Sequence, residues 1–264
     1  MIFLDDLKYW VWLSRIECLG AKRKMKLLEK YKNPAEIWKL EKHDLLSIEG
    51  IGEKIADEIL DKKYRNGLDD IINKMDKQNI KLINFFDEMY PQNLKQLYDM
   101  PISLYVKGNV SLLNEFSLGI IGCRECSAYG EKVADAIGRG LARKNIVTVS
   151  GLARGIDSIS QRATIKEKGK TIAVIGSGID IIYPPENIKL ANEIIKNGGL
   201  IISEYPPNTE PKKMHFPARN RIISGLSSGI IVVEAKNKSG TMTTVDFALE
   251  QGKTVFAVPR EYNK

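Results

Sequence analysis

Short runs of apolar residues alternate with longer mixed segments through the second half of the chain. From Leu118 onward, six runs are apolar at nearly every position: 118–121, 146–149, 171–175, 200–202, 229–233 and 254–258. Helical spacing lies between them, near 128–143, 155–168, 187–197, 218–227 and 241–251. Runs of this kind are typical of strands buried on both faces. The pattern predicts an α/β, Rossmann-like, doubly wound and mostly parallel sheet.

The N-terminal part has a different pattern. Apolar residues such as Leu7 and Trp10 recur at helical intervals, which predicts a small all-α domain over residues 1–66. Residues 67–117 are expected to connect it to a Rossmann-like domain over residues 118–264. Two extended-looking pieces lie in the connecting region, at 80–85 and 102–106.

Within the helical part, Gly50-Ile51-Gly52 lies between two helical stretches and resembles a helix-hairpin-helix turn. Glycines in such turns let backbone amides approach a DNA phosphate closely. The same residues also suit a plain tight turn between helices, and both interpretations stay open.

Charge favours an acidic partner. The chain carries 40 Lys and Arg against 33 Asp and Glu, a formal net charge of +7. Residues 1–100 hold 18 of each sign, so residues 101–264 carry the whole surplus. Positive charge attracts phosphate polymers regardless of their sequence, although a small surplus is also common in proteins that bind nothing acidic.

Metal, membrane and secretory classes fit poorly. Cys123 and Cys126 have the spacing of a metal pair, but a zinc site needs about four ligands, and Cys18, His43 and His215 are scattered. No apolar stretch approaches the roughly 18–20 residues of a membrane span, and the N-terminus lacks signal-peptide features. We expect a cytoplasmic protein without metal or cofactor.

Polar and glycine-rich segments follow nearly every predicted strand. In an open α/β sheet, ligands bind beyond the carboxyl ends of the strands. Those ends carry Gly122-Cys123-Arg124, Ser150-Gly151-Leu152-Ala153-Arg154, Gly176-Ser177-Gly178 then Tyr183-Pro184, Ser203-Glu204, and Glu234-Ala235 then Ser239-Gly240-Thr241. This clustering predicts a binding site along one edge of the sheet.

The densest segment runs from His215 to Arg221, just ahead of the apolar residues 222–226. Arginine offers a planar fork of donors that suits phosphate, and a ring offers a stacking face for a base. We expect Arg219 and Arg221 to neutralise phosphates and Phe216 to stack, with Asn220 beside them. The predicted ligand is single-stranded DNA, because stacking needs an unpaired base.

Backbone amides complete the expected site. Those of Gly151 and Ser239-Gly240 are expected to cradle phosphate oxygens. Asp157 is better explained as a residue that holds its loop through hydrogen bonds than as a catalytic acid. The remaining members of the expected DNA-binding set are Gly122, Ser150, Arg154 and Thr241.

Enzyme classes find little support. A dinucleotide site needs G-x-G-x-x-G, whereas Gly119 and Gly122 are spaced differently and Gly176-x-Gly178 lacks the third glycine. No G-x-x-x-x-G-K-[ST] loop occurs, and the chain has only two histidines. We therefore expect a protein that is not an enzyme.

Nine segments, in order, carry a resemblance to a known family: GCR at 122–124, SGLARGID at 150–157, TIAVIG at 171–176, YP at 183–184, SEYP at 203–206, FPARNR at 216–221, VEA at 233–235, SGT at 239–241 and FAVP at 256–259. Residues from about 80 to 260 resemble the DNA-processing protein A (DprA/Smf) family of bacterial natural transformation. The N-terminal part is similar to the SAM-like or helix-hairpin-helix extension of many members.

The resemblance implies a non-catalytic protein that binds and protects single-stranded DNA and helps load the RecA recombinase onto it. It also implies a homodimer formed through the Rossmann-like domain. The arginine of the family's G-S-R turn corresponds to Arg124, with Cys123 in place of serine. The family's lysine and aromatic residue before P-x-R-N-R correspond to Lys213 and Phe216, which would hold phosphate and stack a base.

Two departures and two alternatives accompany this interpretation. Arg260 stands where the family usually has glycine, and the chain stops at Lys264, before a small winged-helix-like domain that many members carry. A phosphoribohydrolase-like enzyme would show P-G-G-x-G-T-x-x-E, which the residues 238–244 lack. The third interpretation is an interaction module whose basic edge meets an acidic protein.

Overall fold

The computed structural model describes residues 4–236 and 239–259. The chain begins with short helices: α1 (Leu4–Arg15), α2 (Gly20–Tyr31), α3 (Pro34–Trp38), α4 (Lys42–Leu46), α5 (Glu53–Leu60), α6 (Lys62–Arg65) and α7 (Leu68–Lys77). Pro34 suits the first position of α3 because its fixed φ is helical, and the Asn33 side chain caps the helix by accepting from the Ala35 N–H. The predicted all-α beginning is confirmed.

Eight strands form one sheet: β1 (Lys81–Asn84), β2 (Ser103–Gly108), β3 (Ser117–Gly122), β4 (Val147–Ser150), β5 (Thr171–Ile175), β6 (Leu200–Ser203), β7 (Gly229–Glu234) and β8 (Thr254–Ala257). Their order is β1-β2-β6-β5-β4-β3-β7-β8. Strands β3 to β8 pair in parallel, whereas β2 pairs antiparallel with both β1 and β6. The predicted mostly parallel sheet is confirmed.

The connecting region contributes more than a linker. Both of its extended-looking pieces are strands, and β2 joins β1 to the parallel strand β6. The sheet therefore begins at Lys81 rather than near Leu118. The sequence predicted the extended pieces but not that they join the sheet, because Pro91 and Pro101 also signal loops and made this region resemble a connection.

Helices cover both faces of the sheet: α8 (Gln92–Lys95), α9 (Ala128–Arg143), α10 (Ile156–Lys166), α11 (Ile188–Lys196), α12 (His215–Leu226) and α13 (Gly240–Glu250). Neighbouring residues of β3 point to opposite sides, as alternation in a strand requires. Ile120 packs with Ala134 and Ile156, and Ile121 belongs to the core that contains Ile222. This arrangement is the doubly wound fold expected from the sequence.

One helix begins earlier than predicted. The helix expected at 218–227 is α12, which starts at His215, so the whole arginine-rich motif lies inside its first turns and not only the residues from Ala218 onward. Pro217 is the third residue of this helix, where the backbone N–H has no intrahelical partner to lose. The motif's side chains therefore point to different sides of one helix.

The helical part packs directly on the sheet. Trp12 and Tyr105 are fully buried in one shared core cluster, and Ser14 Oγ lies 2.7 Å from the Tyr105 hydroxyl. Two ion pairs join the same parts: Lys212 reaches Glu17 at the surface, and Lys74 reaches the buried Asp180 carboxylate. None of the helices that the structure describes has the length and apolar character needed to cross a bilayer.

A glycine substitution tests the turn that follows β4. Gly155 has φ of +70°, and a Cβ there would lie 2.3 Å from the Cys123 carbonyl oxygen. We expect Gly155→Ala to lower the free energy of unfolding by more than about 1 kcal/mol, measured by urea unfolding.

Gly140 supplies the matched control. It is an exposed residue within α9 with no atom within 4 Å of an added Cβ. Gly140→Ala should raise the free energy of unfolding by up to about 1 kcal/mol because alanine is the better helix former. Equal effects of both substitutions would contradict the strained turn.

Candidate nucleic-acid interface

A small cleft lies at the carboxyl edge of the sheet, where the loops after β3, β4 and β5 meet the start of α12. Its enclosed volume is about 30 Å³, and its lining residues are Arg124, Gly151, Ala153, Arg154, Tyr183, Pro184, Phe216 and Arg219. The loop after β3 stands at the topological switch point, since β3 lies between β4 and β7 and the chain winds outward from there in both directions.

Arg124 and two aromatic rings form the open side of the cleft. The Arg124 guanidinium carbon lies 6.0 Å from the centroid of the Phe216 ring, and Arg124 makes no hydrogen bond or ion pair with any described residue. The half-buried Phe216 ring lies 5.5 Å from the exposed Tyr183 ring, at an interplanar angle of 44°. A free cation therefore stands beside two accessible rings.

Arg219 forms the floor of the cleft. Its side chain is 5% exposed, and Nη1 donates to the carbonyl oxygens of Gly151, at 2.7 Å, and Val174. Burial lowers the pKa of Arg219 to about 10, with Asp157 opposing this shift and Arg124 adding to it. The guanidinium is still protonated near neutral pH, so it adds positive charge under the open side.

Asp157 balances this buried charge and holds the loop after β4. Its carboxylate accepts the N–H groups of Gly151, at 3.0 Å, and Ala153, at 3.4 Å. Burial raises the pKa of Asp157, while Arg219 and the two amide donors act in the opposite direction. The interpretation of Asp157 as a loop-holding residue agrees with these contacts.

These contacts correct part of the expected site. The Gly151 N–H is already bonded to Asp157, so the expectation that this amide cradles a phosphate oxygen is wrong. Gly151 is needed for a different reason, because a Cβ there would come within 2.5–2.7 Å of the Arg219 guanidinium. Ser150 is fully buried, and its hydroxyl donates to the Ile120 carbonyl oxygen at 2.7 Å.

Arg221 lies away from the cleft. Its guanidinium is 5% exposed and pairs with Glu204, at 2.8 Å, and with Asp99, at 3.0 Å. Burial opposes the charged form, but the two carboxylates outweigh it and raise the pKa of Arg221. This corrects the expectation that Arg221 neutralises a phosphate beside Arg124, since its charge is already compensated within the fold.

The remaining expected residues support the cleft from its sides. Asn220 accepts from Arg219 Nε at 3.1 Å and donates to the Gly240 carbonyl oxygen, which ties α12 to the start of α13. Ser239 and Thr241 lie at that helix start, and neither lines the cleft. Gly122 leaves room for Ile156, which a Cβ would approach to 2.4 Å.

Lys213 and Arg154 lie near the cleft and differ in whether their charge is paired. Lys213 is exposed just before α12 and has no ion pair in the described part of the chain. Arg154 lines the cleft but pairs with Glu186, and both side chains are about half exposed. Lys238 and Arg260 fall outside the described residues.

The expected set omitted Tyr183, Pro184 and Ala153. Tyr183 and Pro184 follow β5 at the same edge of the sheet, so the rule that placed the other segments there also pointed to them. What the sequence did not show is that the Tyr183 ring reaches Phe216, which comes from the chain 33 residues later.

Fold and cleft together define a Rossmann-like protein with a cationic, ring-lined cleft at the carboxyl edge of its sheet. The model of the DNA recombination-mediator protein A family matches residues 81–264. The chain belongs to this family. A model described as a SAM-like helix-hairpin-helix tandem matches residues 13–62.

Relatives and solved structures agree with the assignment. DNA processing protein DprA of Bacillus subtilis is 50% identical over 184 residues, which cover 69% of this chain and 62% of that relative. The X-ray structure of DNA processing protein A from Streptococcus pneumoniae matches with a TM-score of 0.80 and 37% identity, covering 97% of this chain and 87% of that one.

A second solved structure is that of DNA processing protein A from Helicobacter pylori, described for its unique single-stranded DNA binding mode. It matches with a TM-score of 0.64 and 34% identity, over 70% of this chain and 83% of that one. This chain spans less than two thirds of the length of the Bacillus subtilis relative.

The helix-hairpin-helix match falls on the glycine turn. Gly50 has φ of +86°, a conformation that favours glycine, and Gly52 is the N-cap of α5. Arg23 donates from Nε to the Gly50 carbonyl oxygen at 2.9 Å. The positive φ explains glycine at position 50 under either interpretation of the turn.

Removing the Asp157 carboxylate tests the buried framework under the cleft. We expect Asp157→Ala to lower the free energy of unfolding by about 3–5 kcal/mol, because Arg219 would be left as an uncompensated buried charge. Asp157→Asn should cost less, since its amide oxygen can still accept the loop N–H groups. Both are measured by urea unfolding.

Asp135 provides a surface control for this measurement. It pairs with Arg139 at 2.7 Å, with both side chains about one third exposed. Asp135→Ala should cost no more than about 1 kcal/mol because exposed ion pairs contribute little. A loss at Asp157 as small as at Asp135 would contradict the structural importance assigned to the buried Asp157 carboxylate.

Proposed function

We propose that this chain binds single-stranded DNA across the cleft formed by Arg124, Phe216 and Tyr183. The observation that carries the proposal is the Arg124 guanidinium, which has no partner among the described residues and lies 6.0 Å from the accessible Phe216 ring beside Tyr183. Cation and ring together match the phosphate and the base of one nucleotide.

Each group has a distinct part in the proposed binding. Arg124 and Lys213 are exposed and unpaired within the described chain, so they bind phosphates. Arg219 is held rigidly below and contributes its charge to the positive potential. Phe216 stacks on a base, and Tyr183 widens the stacking surface. Asn220 positions Ser239, Gly240 and Thr241, which extend the site along the start of α13.

The preference for single strands follows from the rings. A base inside a duplex has both faces covered by its neighbours, so it offers nothing to Phe216 or Tyr183. Phosphate contacts alone would not distinguish the two forms strongly, because both carry a charged backbone. Stacking therefore supplies the discrimination in this proposal.

The cleft supports binding over nucleotide processing. Its enclosed volume of about 30 Å³ is small beside the roughly 300–1,000 Å³ of sites that enclose a small molecule. Its lining residues include no carboxylate and no histidine to act as a general acid or base. A strand lying across the cleft needs neither enclosure nor such groups.

Family membership extends the proposal to partners. On this basis the chain acts in the cytoplasm in natural transformation and recombination, protects incoming single-stranded DNA and helps load the RecA recombinase. The same basis favours a homodimer formed through the Rossmann-like domain. The edge strand β8 is compatible with such a contact, since Phe256 on it is 51% exposed.

Removing the free arginine tests the phosphate contact. Arg124→Ala should weaken binding to oligothymidylate about tenfold or more, because a charge-assisted hydrogen bond is lost. The slope of log affinity against log salt should fall by about 0.7, as expected for one phosphate contact on a single strand. Fluorescence anisotropy across a salt series measures both quantities.

A lysine at the opposite edge of the sheet is the control for charge. Lys144 is exposed between α9 and β4, on the side where the parallel strands begin. Lys144→Ala removes the same charge from the protein but should change affinity less than twofold. If Arg124→Ala behaved like Lys144→Ala, the cleft would not be the binding site.

Removing the ring tests the stacking contact. Phe216→Ala should weaken single-strand binding by about 1–3 kcal/mol and leave the salt slope unchanged, because no phosphate contact is lost. Phe216→Leu keeps an apolar side chain without a ring and should lose nearly as much. Full affinity for Phe216→Leu would show that burial of apolar surface, rather than stacking, holds the base.

A further inference from the structure

A second and larger cavity lies on the other side of α12, between the helical part and the sheet. Its volume is about 340 Å³, within the range of sites that receive a small molecule or a base. Ser14 and Lys24 line it from the helical part, Ser103 from β2, and His215 and Ala218 from α12. The first turns of α12 therefore separate this cavity from the cleft that Phe216 lines.

Two residues that line the cavity each carry a buried polar atom with no hydrogen-bond partner among the described residues, and neither atom is itself exposed at the cavity surface. The two atoms are Ser103 Oγ and His215 Nδ1, on side chains that are 1% and 4% exposed. Burial lowers the pKa of His215, which favours its neutral ring near pH 7. The Tyr205 ring stacks on this histidine at 3.9 Å between centroids. A flat polar group fits such a wall.

The charges of the cavity wall are largely balanced. Glu204 and Asp99 pair with Arg221, and Glu17 pairs with Lys212. Lys24 donates to the Ser14 carbonyl oxygen at 3.0 Å, and burial lowers its pKa to about 8. A phosphate would meet three carboxylates here, whereas an uncharged group with donors and acceptors on its edge would not be repelled.

We propose that this cavity receives an unpaired base of the same strand that crosses the cleft, which rests on the proposed DNA binding. A nucleobase is flat and uncharged and carries donors and acceptors along its edge. The two sites are separated by one helix, about 10–12 Å across, which an extended strand spans within a few nucleotides. Lys213 and Met214 lie exposed at the start of that helix, where the strand would cross.

Residues next to those that line the cavity suit a DNA strand that enters it from solvent. Tyr98 precedes the lining residue Asp99 and is 83% exposed. Lys22 follows the lining residue Ala21, and its Nζ lies 3.0 Å from the Tyr98 ring centroid. An exposed ring with an ammonium group beside it offers stacking and phosphate contacts next to the cavity, as the cleft does on the other side of α12.

Filling the cavity tests the proposal. Ala218 lines the cavity from α12 and Ala21 from α2, and neither is fully buried, so Ala218→Phe and Ala21→Phe reduce its volume without replacing a core side chain. Ala136, exposed on α9, gives the control Ala136→Phe. Binding is measured with the shortest oligothymidylate that reaches full affinity, in which single positions are replaced in turn by abasic nucleotides.

With the unaltered protein, removing the base at either of two separate positions of the oligonucleotide should weaken binding about tenfold, with one position for each site. With Ala218→Phe or Ala21→Phe, removing the base at one of these positions should no longer weaken binding. Removing the base at the other position should still weaken it about tenfold. Ala136→Phe should reproduce the unaltered pattern. Urea unfolding confirms that each variant is folded.

The outcomes separate this proposal from the proposed function. The second base site would be overturned if only one position of the oligonucleotide were sensitive to base removal, if Phe216→Ala abolished that sensitivity, and if neither cavity-filling variant changed it. This result would leave the proposed binding at the cleft intact. Absence of any binding to the oligonucleotide, or binding that Phe216→Ala leaves unchanged, would overturn the proposed function itself.

Discussion

The opposite buried charges of Arg219 and Asp157 hold the segments that form the candidate site. Arg219, on α12, donates to the carbonyl oxygens of Gly151, just after β4, and of Val174, within β5. Asp157, in α10, accepts the N–H groups of the loop after β4. A buried charge is costly unless an opposite charge compensates it, so each of these two groups favours the charged form of the other. Together they fix α12, α10 and the loop after β4 against the sheet.

The open groups of the site rest on this framework. With α12 fixed by Arg219, Phe216 is presented on the side of the helix that faces Arg124 and Tyr183, and His215 on the other. Asp157 compensates the buried charge of Arg219, while the exposed Arg124 guanidinium has no hydrogen bond or ion pair within the described part of the chain. The helix therefore divides its polar residues between a surface cleft and a cavity against the helical part.

The buried strands made the fold predictable from the sequence, because nearly every position in them is apolar. The bounds of α9 also match the predicted helix at 128–143. Sequence reasoning reached Arg124, Arg154 and Phe216 because polar segments after parallel strands meet at one edge. It could not separate Arg219 and Arg221, since their different burial and partners depend on which side of α12 each faces and on carboxylates distant in sequence. The extended pieces that form β1 and β2 were predicted, but not that they belong to the sheet, because their pairing depends on contacts distant in sequence.

The central claim is that a ring and a free cation in the cleft recognise unpaired DNA. The most direct measurement is fluorescence anisotropy of a labelled oligothymidylate and of a matching duplex over the same salt series. The account predicts much tighter binding of the single strand, with a log–log salt slope of about −0.7 for each phosphate contacted. Equal affinity for both forms, or binding to neither, would contradict it.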